Sequence, residues 1–419
     1  MNQTTKVVSE SPWGKHETFH EYIVARGDEL SQSLAMLMTE SFRPDAAKSL
    51  RLYSASEAAD FIGTSVPNLR KVLSEAEIKG FDGQPVDVFQ DARGHRWYTA
   101  EQIDAVRMYF QAEARSPDKF LPGRRTRDDH LQVLTFMNFK GGSGKTTSAI
   151  HAAQGFALRG YRVLAIDLDP QATLTMHFGV RPEIDYAQGG TIYDALRYEK
   201  PVPISQVIKT ETYFHNLDYV PSGIMLTEYE TESALYLRET GYMPFYMRMG
   251  NALREIEDQY DIVVIDCPPQ IGFLTLTALN TTTGIITTIQ PSMYDVASMA
   301  QFLALMGNLV NAISEQGVEP PLDFMRYLIT RYDNTDNNQQ DITRFLRHQF
   351  GREVLKTEVL DSTLVTRAAS EQRTIYEIEP REQNRGTFKR AWSAFNAVQD
   401  ELENMVQAAW KRGPIRGDL

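Results

Sequence analysis

Residues 138–147 read NFKGGSGKTT. A run of small residues lets backbone N–H groups converge on an anion, and a lysine followed by hydroxyl side chains supplies a phosphate contact and a magnesium ligand. The usual spacing is G-x-x-x-x-G-K-[ST]. Here Phe139 takes the place of the first glycine, and an additional lysine, Lys140, precedes the loop. Gly141, Gly142, Ser143 and Gly144 are expected to cradle phosphates, with Lys145 reaching the β- and γ-phosphates. The Thr146 hydroxyl is expected on Mg²⁺, with Thr147 completing the loop. Two carboxylate motifs add to this set. VLAIDLDPQ carries Asp167 and Asp169, and DIVVIDCPP carries Asp266, which would hold Mg²⁺ through its water shell.

These groups need a frame that brings them together. VLTFMNF, RVLAID, DIVVID, GIITTIQ and MRYLIT are apolar, β-rich runs separated by helical stretches. Near-continuous apolar strands between helices predict a doubly wound, mostly parallel α/β sheet covered on both faces. The three carboxylates then sit at C-terminal strand ends beside the phosphate loop, where such sheets bind ligands. The segment TFKRAWSAFNAVQDELENMVQAAW predicts a last helix packed on the sheet.

With 419 residues, the chain is long enough for two or three domains. Its 42% hydrophobic and 23% charged residues are those of a globular protein, and no apolar run is expected to reach bilayer length. The single cysteine, Cys267, excludes an intrachain disulfide framework or cysteine cluster and reads as an inert core thiol. A cytoplasmic location without membrane binding is the simplest expectation. The net charge of −12 argues against nucleic acid binding by the whole surface. Residues 131–419 hold most of that excess, with 26 Lys/Arg against 35 Asp/Glu, so DNA contact must come from local patches.

Ahead of the sheet, 1–48 contains a helix over 16–42 with Ile23, Leu30, Leu34, Leu37 and Ser41 on one stripe. It can pack on its own domain or serve dimerisation. In 49–112, Ser54 with Glu57 forms a capping box, Gly63 ends the first helix, Ser65 or Thr64 caps the second, and Pro67 lies in its first turn. A hairpin over 86–99 turns at Gly94, and Thr99 with Gln102 caps a further helix. Helix, turn, helix and basic wing predict a winged helix-turn-helix that binds DNA. Ser65, Asn68, Arg70 and Lys71 would meet the major groove, and Arg93 and Arg96 the phosphates. The arrangement resembles the winged helices of MerR-like regulators. Residues 113–130 read as a linker in which Arg124, Arg125 and Arg127 either touch DNA backbone or, the favoured reading, stay solvated, and 131–419 as the nucleotide domain.

KGGSGK, DLDPQ and DCPP resemble the deviant Walker A family, which includes ParA, MinD and the nitrogenase iron protein. YVPSG (219–223) and TIQPSMYDVASM (288–299) look like ParA plasmid-partition ATPases. The N-terminal additions resemble the larger plasmid forms, especially the RepA branch of repABC plasmids. The resemblance implies ATP/ADP and Mg²⁺ as cofactors and a homodimer that sandwiches two nucleotides. It implies catalytic roles for Lys140, reaching the partner subunit's ATP, and for Asp169, positioning the attacking water, with Asp167 in the Mg²⁺ shell. It further implies a ParB-like centromere-binding partner that stimulates a weak ATPase, non-specific DNA binding in the ATP form, autorepression, and a nucleoid- or plasmid-associated location. Chromosomal ParA proteins carry a Pro-Arg pair where this chain has Leu360-Asp361, leaving Arg367, Arg373, Lys389 or Arg390 as DNA contacts or as solvated charges. A nucleotide-tuned repressor is the rival reading, and a metabolic P-loop enzyme a weaker one.

Overall fold

The computed structural model describes residues 16, 18–41, 48–115, 119–120, 124–126, 128–239 and 241–414. The chain divides into two compact units, Met1–Lys48 and Ser49–Leu419. In the first, helix α1 spans Phe19–Ser41, and its Ile23 and Leu30 are exposed. The side chains of Leu34, Leu37 and Ser41, expected on the same stripe, lie outside the described residues.

The second unit opens with strand β1 (Tyr53–Ser54) and helices α2 (Ala55–Ile62) and α3 (Val66–Glu75). The Ser54–Glu57 capping box is present, Gly63 takes φ +80° at the end of α2, and the Ser65 hydroxyl caps α3. Strands β2 (Phe89–Gln90) and β3 (Arg96–Tyr98) form the hairpin and make a three-stranded sheet with β1. Helix α4 (Ala100–Ala112) follows, started by the Thr99–Gln102 box.

Strands β4 (Gln132–Met137), β5 (Val163–Asp167), β6 (Leu217–Val220), β7 (Ile262–Asp266), β8 (Gly284–Ile289) and β9 (Phe324–Ile329) form a six-stranded sheet. Its order is β6-β5-β7-β4-β8-β9, and all its pairings are parallel. The period-2 alternation of these strands divides the apolar residues between two cores. Leu134, Phe136, Val163, Ala165, Ile262 and Val264 face one side. Val133, Leu164, Ile166, Val263 and Ile265 face the other. Helix α5 (Lys145–Leu158) covers the first side and is buried along most of its length.

The first core also takes in Tyr53, Phe61, Leu69 and Tyr98, so α2–α4 and the parallel sheet share one apolar interior. Buried polar contacts add to it. Arg107 of α4 donates to the carbonyls of Phe61 (3.1 Å) and Leu158 (2.6 Å), the last residue of α5. Arg51 and Tyr53 donate to the Tyr376 carbonyl at 3.0 and 3.2 Å.

Two expectations need correction. Arg125 is not a solvated linker charge: its side chain is only 7% exposed and donates to the Glu257 carbonyl at 2.6 Å, while its backbone N–H donates to Asp261. Arg124 approaches Asp104 at 3.8 Å, and Arg127 lies outside the described residues. The last helix, Arg385–Ala409, packs on α5 and reaches the sheet, where Phe395, Val398 and Leu402 lie beside Leu328 of β9, and its Glu403 binds the guanidinium of Arg159 just beyond α5. Finally, one helix among the described residues, Met293–Ser314, is long and apolar enough by length and composition to cross a bilayer. It is the crossover between parallel strands β8 and β9, with Phe302 and Ile313 buried and Leu303, Met306, Leu309 and Val310 packed at the core, while Leu305 is exposed.

Candidate functional site

Strand β4 feeds the loop 138–144, and α5 begins at Lys145. Gly142 and Gly144 take φ +77° and +81°, a region in which a side chain is strained, which permits the tight reversal between β4 and α5. Thr330 clamps the loop by donating to the Ser143 carbonyl at 2.7 Å. The Ser143 hydroxyl pairs with that of Thr288 at 3.0 Å. The cavity in front of the loop measures about 420 Å³ and is lined by Gly141, Gly142, Gly144, Lys145, Thr146 and Thr147, with Asp169 beside them. The Lys145 ammonium donates back to the Lys140 carbonyl at 3.2 Å. Burial lowers its pKa, opposed by the charges of Asp266 and Asp169.

The carboxylates arrive from two neighbouring strands. Asp167 ends β5, Asp266 ends β7, and the two are register partners. Asp167 accepts from the Thr175 N–H and hydroxyl, each at 2.8 Å, and from the Asp169 N–H at 3.0 Å. Burial nevertheless pushes it up to about 7. Asp266 is fully buried too, and neither of its oxygens has a hydrogen-bond partner among the described residues. Burial, then repulsion from Asp167, raises its pKa well above the carboxylate range; the Thr146 hydroxyl and Lys145 oppose this from nearby. Two unpartnered buried oxygens beside a hydroxyl and a phosphate cavity fit a divalent cation. Among the described residues no three His, Cys, Asp or Glu side chains gather as a cage. Asp169 is half-buried; burial raises its pKa, and its Oδ1 accepts from the Gln171 N–H at 2.9 Å. Cys267 is buried, its thiol pushed up by burial, as an inert core residue would be.

Lys140 points elsewhere. Its ammonium lies 2.7 Å from Asp295 Oδ2, on the first turn of the helix Met293–Ser314. Asp295 was not foreseen in the sequence, since an aspartate three residues after Ser292 reads only as helix-start chemistry. The cavity's far wall, Thr330, Arg331 and the stretch Val359–Ser362, was not foreseen either, as it is 190 to 220 residues away in sequence with no motif of its own.

A family model described as an AAA domain matches residues 131–317. A relative named as a replication protein A, from Sinorhizobium fredii, is 42% identical over 94% of this chain and 95% of its own. The chromosome partitioning protein ParA of Myxococcus xanthus is 30% identical over 54% of this chain and 75% of its own. The chain belongs to the ParA-type partition ATPase family. Among solved structures, a partition protein aligns with TM-score 0.61 at 18% identity, over 91% of this chain and 98% of that one. A Mycobacterium smegmatis cobyrinic acid a,c-diamide synthase, solved with an ATP analogue and magnesium, aligns with TM-score 0.52 at 23% identity, over 68% and 99%. Both likenesses are of fold.

Against the ParA pattern, Leu360 and Asp361 line the nucleotide cavity, and Asp361 faces Arg331 at 3.8 Å. Of the basic residues considered in their place, Arg367 is bound to Gln383 and lies 3.9 Å from Glu371, while Arg373, Lys389 and Arg390 are exposed. In the N-terminal module of this ParA-type chain, Ser65, Asn68, Arg70, Lys71 and Arg93 are exposed and Arg96 is half-buried. Asn68 donates to the Thr64 hydroxyl at 2.9 Å, and Lys71 stands 4.0 Å from Glu75.

Proposed function

We propose that this protein is an ATP-hydrolysing plasmid segregation protein that works as a nucleotide-sandwich homodimer. The loop amides and Lys145 hold the phosphates, and Asp169 orients the attacking water. Thr146 and Asp266 would hold Mg²⁺, with Asp167 in the ion's shell, and the ion would neutralise charge on the transferred oxygens. Lys140 completes the neighbouring subunit's site, as a cation supplied across an interface does in other phosphoryl transfers. Because only the triphosphate reaches across, ATP favours the closed dimer and ADP the open chain.

The observation that carries this reading is the division of labour between the two lysines. Lys145 is buried in its own phosphate cavity, whereas Lys140, 43% exposed at the side chain, leaves that cavity for Asp295. A second lysine that turns away from its own phosphate cavity is explained by a use in trans. Lys140→Ala tests it: ADP binding should persist, while dimerisation on a non-hydrolysable ATP analogue and DNA-stimulated hydrolysis are lost. A monomeric variant hydrolysing at the wild-type rate would refute the dimer.

The N-terminal module is read as a winged helix-turn-helix that binds the protein's own operator and non-specific DNA, giving autorepression together with segregation. The exposed basic hairpin and α3 support it. A ParB-like partner that triggers hydrolysis, and a cytoplasmic, nucleoid- or plasmid-associated location, belong to the same reading. So do the boundaries 1–48, 49–112, 113–130 and 131–419 as functional segments.

A further inference from the structure

Five arginines from three stretches of chain line one cleft of about 950 Å³. Arg70 comes from α3, Arg93 and Arg96 from the hairpin, and Arg381 and Arg385 from the nucleotide-binding body, where the helix Arg385–Ala409 begins. The carboxylate that shares the lining is Asp91. It is already occupied: its Oδ1 accepts from the N–H groups of Arg93 and His95, each at 2.9 Å, and its Oδ2 meets the His95 ring. Arg381 lies 3.9 Å from Asp91, and its guanidinium sits 4.3 Å from the centre of the Trp97 ring. Among the described residues, Arg70, Arg93, Arg96 and Arg385 have no carboxylate within ion-pair distance.

Stability does not account for this cluster. In a chain of net charge −12, acidic partners are plentiful, yet four guanidiniums converge without one. Arg385 is the plainer case. It is the first residue of a 25-residue helix whose first turn holds no acid, so a cation stands at the positive end of the helix dipole. That placement is mildly unfavourable unless an anion comes to it. The helix's own leading amides are occupied, since Asn384 Oδ1 accepts from the N–H groups of Gly386 (3.0 Å) and Thr387 (3.1 Å). Recognition there belongs to side chains. Planar guanidiniums spread along an open cleft match successive phosphates on a backbone.

We propose that Arg381 and Arg385 of the nucleotide-binding body form, with Arg70, Arg93 and Arg96 of the N-terminal module, one cleft that grips the phosphate backbone of duplex DNA. The proposal rests on the reading of the N-terminal module as a DNA binder and extends it. A duplex held by the hairpin also lies on the body that binds nucleotide.

The test measures binding of the full-length protein to two duplexes over a salt series: one from the region upstream of its own coding sequence, one scrambled. Arg385→Ala should weaken both duplexes alike and flatten the plot of log affinity against log salt by about one, as loss of one phosphate contact does. Arg381→Ala should behave similarly, and Arg381→Lys should restore the slope, which a purely structural role on Trp97 would not predict. Thermal melting and nucleotide binding should be unchanged in the Arg385 variant. If Arg93→Ala and Arg96→Ala flatten the slope while the Arg381 and Arg385 variants leave it intact, the composite cleft is wrong and the DNA-binding module stands. If none of the four changes it, the module reading fails as well.

Discussion

The Lys140 ammonium and the Asp295 carboxylate form an ion pair of 2.7 Å, with the aspartate 3% and the lysine 43% exposed at the side chain. Asp295 Oδ2 also accepts from the Ser292 hydroxyl, which fixes the carboxylate on its helix turn. If Lys140 serves the neighbouring subunit, this pair must open whenever a dimer closes. Solvent reaches the lysine but not the aspartate, so opening the pair leaves a buried carboxylate held by Ser292 and costs more than breaking a surface pair. Asp295→Asn keeps an acceptor oxygen and removes the charge. It should tighten dimerisation on a non-hydrolysable ATP analogue by about fivefold or more, read by sedimentation, and leave ADP-bound chains monomeric. Weaker dimerisation would instead make Asp295 a guide that aims the lysine.

Asp266 offers a separate test, because its two oxygens are buried and unpartnered beside a second carboxylate. In the absence of nucleotide it is a liability, as burying an uncompensated charge costs free energy. Asp266→Asn should therefore raise the unfolding free energy of the apo protein by about 1–3 kcal/mol. The same change should abolish the gain in ATP affinity that magnesium gives. EDTA should reproduce the second effect on the wild type without touching the variant. A variant less stable than wild type and still magnesium-responsive would remove Asp266 from the metal site.

Gly160, just after α5, takes φ +91°, and a Cβ there would stand 2.5 Å from Arg107 Nη1. Arg107 is 1% exposed and bound to the carbonyls that end α2 and α5, so it has little room to yield. Gly160→Ala combines backbone strain with displacement of that guanidinium and should cost about 1–3 kcal/mol in chemical denaturation. A change under about 0.5 kcal/mol would mean that Arg107 is not the rivet between the N-terminal module and α5.

Local signals carried most of the fold. Both capping boxes, the left-handed Gly63, the Gly94 turn and the apolar strands are written within a few residues of where they act. The phosphate loop and the strand-end carboxylates were legible for the same reason. Side chains that meet across the chain left no such mark. Arg125 looks like one more charge in a Pro- and Gly-rich stretch, and only Glu257 and Asp261, more than 130 residues on, bury it. Asp295 on Lys140, the cavity wall at Leu360–Asp361 and the pairing of Arg381 with the hairpin are likewise products of sheet order and helix packing. Sequence spacing does not encode them.

His151 gives the pH dependence a defined source. It lies on α5, its ring stacked on Phe395 with centroids 3.8 Å apart, and is fully buried. Nδ1–H donates to the Thr147 carbonyl at 2.6 Å, and Nε2 accepts from the Ile375 N–H at 3.1 Å. Those partners fix the neutral ring, since protonation would set a second N–H against a donor. Burial lowers its pKa from 6.5 to about 3; the charge of His177 adds to the shift, while the Thr147 carbonyl and Glu377 oppose it. Between those values the unfolded chain binds the proton and the folded one does not, so stability is complete above 6.5 and declines as pH falls below it. From pH 7 to pH 5 this one group should remove about 2 kcal/mol. His151→Gln should lower stability at neutral pH and flatten the decline by that amount relative to wild type, as read from denaturation midpoints at the two pH values. Parallel pH profiles for the two proteins would mean that the imidazole takes up a proton in the folded state, and the assigned tautomer would be wrong.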